Sequence, residues 1–445
     1  MRPGKPVPKK SPTDDRNISV VTLGCPKNIA DSESLLRQLR EGGYTISHNP
    51  SQVLPGTVIV NTCGFINDAK EESIDVIMKF IRAKNEGKIN RLFVMGCLAE
   101  RYRSALRKEI PEVDEYFGVN DISGILDKLG LSLRNDLLSE RELTGPKHFA
   151  WLKISEGCDR TCSFCAIPMI RGPYVSKPFE EIVREATYLG SMGVRELILV
   201  AQDLCYYGLD LYRKQRLPEL VSELLKLESF EWIRLQYLYP SNFPLQVIPV
   251  IRDNERVCSY IDIPIQHISD RMLKLMKRSH GRSDTEKLLN RLRQEIPGAA
   301  IRTTLIAGHP GETQGDFEEL KDFISEFRFE RLGVFAYSHE EGTYSGENHA
   351  DDIPEEIKNE RVAELMEIQQ GISLDINRSR TGQVMKVLID GMEGNFHTGR
   401  TQYDAPEIDQ EVLIPISYKL EPGKFYNIRI TETEEFDLFG VPEGY

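Results

Sequence analysis

Three cysteines, Cys158, Cys162 and Cys165, crowd into the stretch "SEGCDRTCSFCAIPMIRGP" and no fourth stands nearby. Three thiolates leave one position of a tetrahedral site, or one iron of a four-iron cluster, free to bind something else, whereas structural sites are closed by four protein ligands. Open sites are the ones that do chemistry. A zinc knuckle with a distant fourth ligand is the competing interpretation of the spacing. Cys25, Cys63 and Cys97 lie 38 and 34 residues apart, and each ends an apolar run: "ISVVTLGC", "TVIVNTC" and "RLFVMGC". That separation suits one strand–helix–strand unit. Parallel strands would deliver all three thiols to the carboxyl edge of one sheet, where open α/β folds bind ligands. Unrelated buried thiols are the usual fate of cysteine, but the repeated strand-then-Cys placement favours a second three-cysteine cluster. Cys205 and Cys258 read as packed thiols.

The elements that must position these residues divide the 445-residue chain in three after a tail. Residues 1–16 are rich in Pro and Lys and are expected to be disordered. From 17 to 135, β-branched runs alternate with helical stretches, as in a parallel α/β domain. From 147 to 345 come "FAWLKIS", "ELILVAQD", "WIRLQYLYP", "YIDIPIQH", "IRTTLIAGHP" and "RLGVFAYS", each followed by a helix-length segment. They predict an incomplete (β/α) barrel, with a long linker helix carrying this domain to residue 378. A small β module, with strands in "VMKVLIDG", "EVLIPISY" and "FYNIRITETEEFDLFGV", occupies 379–445. The fold class is therefore α/β, with a small β-barrel at the C-terminus. The loop bearing Cys158 directly follows the first barrel strand, at the end where barrel active sites sit.

Composition excludes several classes of function. There is no apolar run of the roughly 18 residues a membrane span needs and no signal-peptide core, so a cytosolic protein without a membrane partner is expected. Eight cysteines in a reducing compartment point to metal binding or catalysis rather than disulfides. The net charge of −13 argues against stable RNA binding. Residues 381–445 hold five basic residues against twelve acidic ones, a balance of −7. Such a module repels phosphate and attracts a basic protein.

At Cys158-x-x-x-Cys162-x-Phe164-Cys165 the sequence resembles the signature of radical S-adenosylmethionine (SAM) enzymes, including the aromatic residue before the last cysteine. With the second triad and the C-terminal module, nearly the whole chain after the tail is similar to the methylthiotransferase family of those enzymes. The segments that carry the resemblance are "LGCPKNIADSE", "VNTCGFINDAKEES", "GCLAERY", "GCDRTCSFCAIPMIRGPYVSKP", "YIDIPIQHISDRMLKLMKR", "IRTTLIAGHPGET" and "VFAYSHEEGTYS". The C-terminal module resembles a TRAM domain. "PKN" after Cys25, "GFI" after Cys63 and "DIPIQHISD" in the barrel favour the branch that modifies a ribosomal protein over the one that modifies a tRNA adenosine. His309 in "GHPGE" and Cys205 after "VAQDL" depart from the family pattern, where an aromatic and a hydroxyl residue are more usual.

The resemblance implies two [4Fe-4S] clusters, held by Cys158, Cys162 and Cys165 and by Cys25, Cys63 and Cys97. SAM would be chelated by the free iron of the first. It also implies that the target is the β-carbon of an aspartate in the twelfth small-subunit ribosomal protein. That unactivated C–H is beyond general acid/base catalysis and within reach of radical chemistry. The second cluster would carry the sulfur, and a second SAM would supply the methyl group. Phe164, Gln202, Gln266, Arg302 and Gly308 are expected at strand ends facing SAM. A flavodoxin- or ferredoxin-type reductant completes the partners, with the basic ribosomal protein met free or on its subunit. A tRNA-directed methylthiotransferase, and a non-catalytic electron-transfer or zinc protein, stand as alternatives.

Overall fold

The fold is taken from a computed structural model that describes residues 16–52 and 54–444. The expected disordered tail, apart from Arg16, lies outside the described residues. Two units form, one running to Thr144 and including Met169–Arg171, the other made of Gly145–Pro168 and the chain from Gly172 onward.

In the first unit β1 (Asn17–Thr22), β2 (Thr45–His48), β3 (Thr57–Thr62), β4 (Arg91–Gly96) and β5 (Glu115–Tyr116) make a parallel sheet in the order β2-β1-β3-β4-β5. Helices α1 (Pro26–Glu41), α2 (Asn67–Asn85), α3 (Cys97–Glu109) and α4 (Ile122–Lys128) connect and cover it. Successive strand residues face opposite sides. Val58, Val60, Leu92 and Val94 accordingly pack with Ile77, Phe80 and Ile81 of α2. The intervening Ile59 and Phe93 join Ile18, Val20 and the Leu35, Leu36 and Leu39 stripe of α1. The strand order reverses between β1 and β3, and ligand crevices of open α/β sheets form at such a reversal.

In the second unit the six expected barrel strands are all present. They are β6 (Phe149–Lys153), β9 (Glu196–Val200), β10 (Trp232–Leu235), β11 (Tyr260–Asp262), β12 (Ala300–Ala307) and β13 (Arg331–Ala336), with the two-residue strands β7 (Ser155–Glu156) and β8 (Val175–Ser176) pairing antiparallel between β6 and β9 in sequence. Order follows the chain as β6-β9-β10 and β11-β12-β13. A parallel bridge between Ile233 and Val257, and a hydrogen bond from Leu238 N–H to Asp262 O (2.8 Å), join the two halves. The 24-residue helix Glu355–Arg378 then runs along β13.

The C-terminal segment closes into a small barrel of β14 (Val384–Glu393), β15 (Phe396–Thr401), β16 (Glu411–Pro415), β17 (Phe425–Thr433) and β18 (Asp437–Pro442), in the order β14-β15-β16-β18-β17. Alternate residues Val387, Ile389, Val412, Ile414, Ile428, Ile430 and Leu438 fill it. Five residues that open barrel strands meet this module. The Trp232 ring stands edge-on to Phe425 at 4.8 Å, and Tyr260 Oη donates to Asp409 (2.7 Å). Glu196 pairs with Arg400 (2.8 Å), Arg331 donates to Asp404 (3.0 Å), and Ala300 packs with Leu388 and Ala405. The small barrel thus seals the amino-terminal end of the large one, opposite the cysteine loop.

Candidate metal and cofactor centres

The strand-then-Cys pattern works as the topology demands. Cys25, Cys63 and Cys97 follow β1, β3 and β4, three adjacent strands, at their carboxyl ends. Cys25 is the N-cap of α1, with Pro26 as its first residue, and Cys97 is the first residue of α3. Gly96 precedes Cys97 at φ +96, where a Cβ would collide with Asn61 and Thr62, so β4 can turn into α3 here only with glycine. Asn61 Nδ2 donates to Asn28 O (3.0 Å), and Ser73 Oγ bonds both the N–H (3.1 Å) and the C=O (2.9 Å) of Cys63. Arg171, buried in the same unit, donates to Asn28 Oδ1 (2.6 Å), the atom that also faces Cys97 Sγ at 3.8 Å.

The three thiols sense one another. Burial pushes the Cys97 thiol up to about 12; Arg171 opposes that shift, and Cys25 and Cys63 add to it. Cys63 is likewise raised, first by burial, with Cys25 adding and Arg171 opposing. Such thiols are held protonated until a metal replaces the proton.

In the barrel, the loop after β7 carries Cys158, Cys162 and Cys165. Gly157 at φ +73 lets the chain pass beneath Pro173, whose carbonyl a Cβ would strike. Cys158 N–H then donates to Gly172 O (3.1 Å), Ser163 N–H to Met276 O (2.9 Å) and Ser345 N–H to Ser163 O (2.7 Å). Ser163 Oγ and Ser345 Oγ lie 3.5 and 3.0 Å from His309 Nε2. An imidazole thus ties the loop after β12 to the cysteine loop. Burial raises Cys158 to about 11 and Cys165 to about 12, and each also feels Cys162.

Among the described residues no group of three Cys, His, Asp or Glu closes to the spacing of a single metal ion. A cubane holds its ligand sulfurs farther apart than one ion does, because each iron sits at its own corner. The barrel end also offers unmatched polar groups. Among the described residues the side-chain oxygens of Gln202, after β9, and Gln236, after β10, are buried without a hydrogen-bond partner. Both suit the amino and hydroxyl donors of a ligand such as SAM. Gln266 has φ +69 and bridges to β12 through its backbone, and Tyr237 at φ +67 follows β10. Backbone strain of this kind gathers at ligand sites. Phe164 is half-buried.

Two expected SAM residues are otherwise engaged. Arg302 is the third residue of β12 rather than its end. Its guanidinium meets Asp262 (3.1 Å) and Asp409 (3.5 Å), since the charged small barrel lies against that end of the strands. Gly308 donates its N–H to Glu312 (2.7 Å), and a Cβ there would meet the Lys358 side chain. Sequence reasoning missed Gln236, Tyr239, Arg160 and Arg278. Arg160 lies inside the cysteine motif, where its charge was the available signal; the others are brought in only by strand order. Cys205 and Cys258 are fully buried, as expected of packed thiols.

Three family models match. Residues 152–324 match the radical SAM superfamily, 17–118 an uncharacterized protein family (UPF0004) and 381–442 a TRAM domain. The chain is 52% identical over 95% of its length to the ribosomal protein uS12 methylthiotransferase RimO of Bacteroides thetaiotaomicron, covering 98% of that protein. It is 51% identical over 96% of its length to the protein of the same name from Flavobacterium johnsoniae, again covering 98% of it. A solved structure of the radical SAM methyltransferase TsrM from Kitasatospora setae, with cobalamin and a [4Fe-4S] cluster, shares the fold at a TM-score of 0.53 and 13% identity, over 86% of this chain and 80% of that one. With two thiol triads at strand ends, a six-stranded open barrel and half its residues shared end to end with those relatives, the chain belongs to the RimO family of radical SAM methylthiotransferases.

Proposed function

We propose that the enzyme methylthiolates the β-carbon of an aspartate in ribosomal protein uS12, giving 3-methylthioaspartate, with Cys158, Cys162 and Cys165 holding one [4Fe-4S] cluster and Cys25, Cys63 and Cys97 a second. The observation that carries this is the presence of two separate open triads, one following three adjacent parallel strands at their carboxyl ends and the other on a single loop after the first barrel strands. When bound, SAM and the two clusters supply a radical that can break the C–H bond and a sulfur to replace it. The chain's own residues bind and orient. Gln202 and Gln236 offer buried acceptors to SAM, and Phe164 an apolar face. Glu312, accepting from Gly308 N–H, from Arg361 (2.5 Å) and from His267 (3.1 Å), fixes the turn after β12 that borders the site. The thiols work in the reducing cytosol, with a low-potential flavodoxin or ferredoxin as electron source.

Surface charge favours protein over RNA. Of the five basic residues in the small barrel, Arg400 is buried against Glu196 and Asp390, and Lys386, Lys424 and Arg429 pair with Glu231, Glu421 and Glu443. Little positive charge is left to grip phosphate. Intact-mass measurement of the small-subunit proteins from cells with and without this gene tests the function. Gain of one methylthio group on uS12 is expected; an unmodified uS12 beside a methylthiolated tRNA adenosine would transfer the assignment to the tRNA branch.

A further inference from the structure

Beside the cysteine loop sits a cation–aromatic stack that none of the roles above requires. The Tyr239 ring, just past β10, has the Arg160 guanidinium 3.9 Å from its centroid and the Arg278 guanidinium 4.1 Å from it. Both guanidinium groups are thus held against the ring by cation–π attraction. One of these cations and the ring itself touch the same sulfur: Arg278 Nη1 lies 3.5 Å from Cys162 Sγ, and Tyr239 Oη 3.7 Å from it. The backbone amide of Arg160 donates to Cys158 Sγ (3.4 Å).

The two arginines are not equivalent. Arg160 has its counter-charge in Asp203 (2.9 Å), and it donates to Ser241 O (3.1 Å). The hydrogen bonds of Arg278 go to Pro264 O (2.6 Å) and to His280 Nε2 (3.3 Å), besides the sulfur. His280 Nδ1 in turn meets Thr285 Oγ1 (2.9 Å), and the imidazole edge abuts Tyr239. Arg278 is thus a half-buried cation held by neutral acceptors, with its charge aimed at one cysteine sulfur.

We infer that Arg278, positioned by Tyr239, raises the reduction potential of the cluster on Cys158, Cys162 and Cys165 through its charge and N–H···S contact with Cys162. One-electron reduction by a flavodoxin- or ferredoxin-type donor adds a negative charge to the cluster and makes or breaks no bond. A fixed cation and hydrogen bonds to a ligand sulfur favour the reduced state. Arg278 is a positioning and tuning residue, acting through Cys162. The inference rests on those three cysteines being the cluster ligands.

The test is an EPR-monitored potentiometric titration of the reconstituted full-length chain. It is run in the wild-type background and in one where Cys25, Cys63 and Cys97 are Ala, so that a single cluster is followed. Arg278→Gln should move the midpoint to more negative potential by about a tenfold change in the oxidised-to-reduced ratio, which for one electron is about 59 mV. Arg278→Lys, which keeps the charge, should recover at least half of that shift. Tyr239→Phe, which keeps the ring and removes the hydroxyl, should shift the midpoint in the same direction by less. An unchanged or more positive midpoint in Arg278→Gln with its iron intact would overturn the inference. Should Arg278→Gln lose the cluster, Tyr239→Phe decides, and a wild-type potential in that variant would overturn it. A single-cluster background that binds no reducible iron–sulfur cluster refutes the ligand assignment instead.

Discussion

His309 shows how much one side chain can reveal about its surroundings. Burial brings its pKa down to about 4; the Pro310 carbonyl opposes that shift, while nearby His349 adds to it. Neutral, it donates from Nδ1 to Pro310 O (3.0 Å) and accepts at Nε2 from Ser345. The unfolded chain takes up a proton near pH 6.5, which the folded chain refuses until about pH 4. Between those values the unfolded state binds more protons, so stability is full above pH 6.5 and drains away as pH falls through the window. The contribution is on the order of 3 kcal/mol. Chemical denaturation of His309→Phe from pH 7 to pH 4 should show a shallower loss than the wild type; an identical slope would mean that other groups carry it. The six cluster cysteines make a second residue-scale prediction. Reconstituted wild type should hold about eight iron and eight sulfide per chain, and either triple Ala variant about half. The Cys25, Cys63, Cys97 variant should still form 5′-deoxyadenosine and should give no methylthiolated product. Normal sulfur transfer by that variant would remove the second triad from the mechanism.

At the scale of elements, the cysteine loop depends on one tight passage. Gly157→Ala puts a methyl group against the Pro173 carbonyl at a left-handed φ, a strain of about 1–3 kcal/mol that the loop relieves by moving Cys158. Iron content of that variant should fall toward half, with little change in far-UV circular dichroism. The strands themselves were largely legible in the sequence. Runs such as "ELILV" become β9 because every residue in them is buried, and the spacing of Cys25, Cys63 and Cys97 foretold their common edge. What escaped was polar. β15, "FHTGRT", buries His397, Thr398 and Arg400, so it has no hydrophobic alternation to announce it. The segment "FYNIRITETEEFDLFGV", expected within the β module, forms the hairpin of β17 and β18, turning at Glu434–Phe436. Arg302 reads as a ligand residue because nothing local reveals Asp409, more than a hundred residues onward. Tyr239 and Arg278 were invisible for the same reason.

At the scale of the whole molecule, charge is sorted by depth. The small barrel hides Arg400 at the seam and leaves Glu432 and Glu434 exposed on the β17–β18 hairpin, with Glu435 half-exposed beside them. Replacing all three by Lys should slow modification of uS12, chiefly through association, and the deficit should shrink at high salt. SAM cleavage without substrate should be unaffected; full activity at low salt would show that this hairpin does not steer the substrate. The seam is a different matter. Burial works against the charge of Glu196, but Arg400 and Arg234 together outweigh it and keep the carboxyl below its usual range. Glu196→Gln leaves Arg234 without its carboxylate and Arg400 with Asp390 alone, and should cost about 3–5 kcal/mol in urea unfolding. A TRAM module here is therefore no detachable adaptor. An engineer who grafted an RNA-binding TRAM onto this barrel, hoping to redirect the enzyme, would also have to transplant partners for Glu196, Arg234, Tyr260, Arg302 and Arg331. Otherwise the chimera would report on a broken floor rather than on substrate choice.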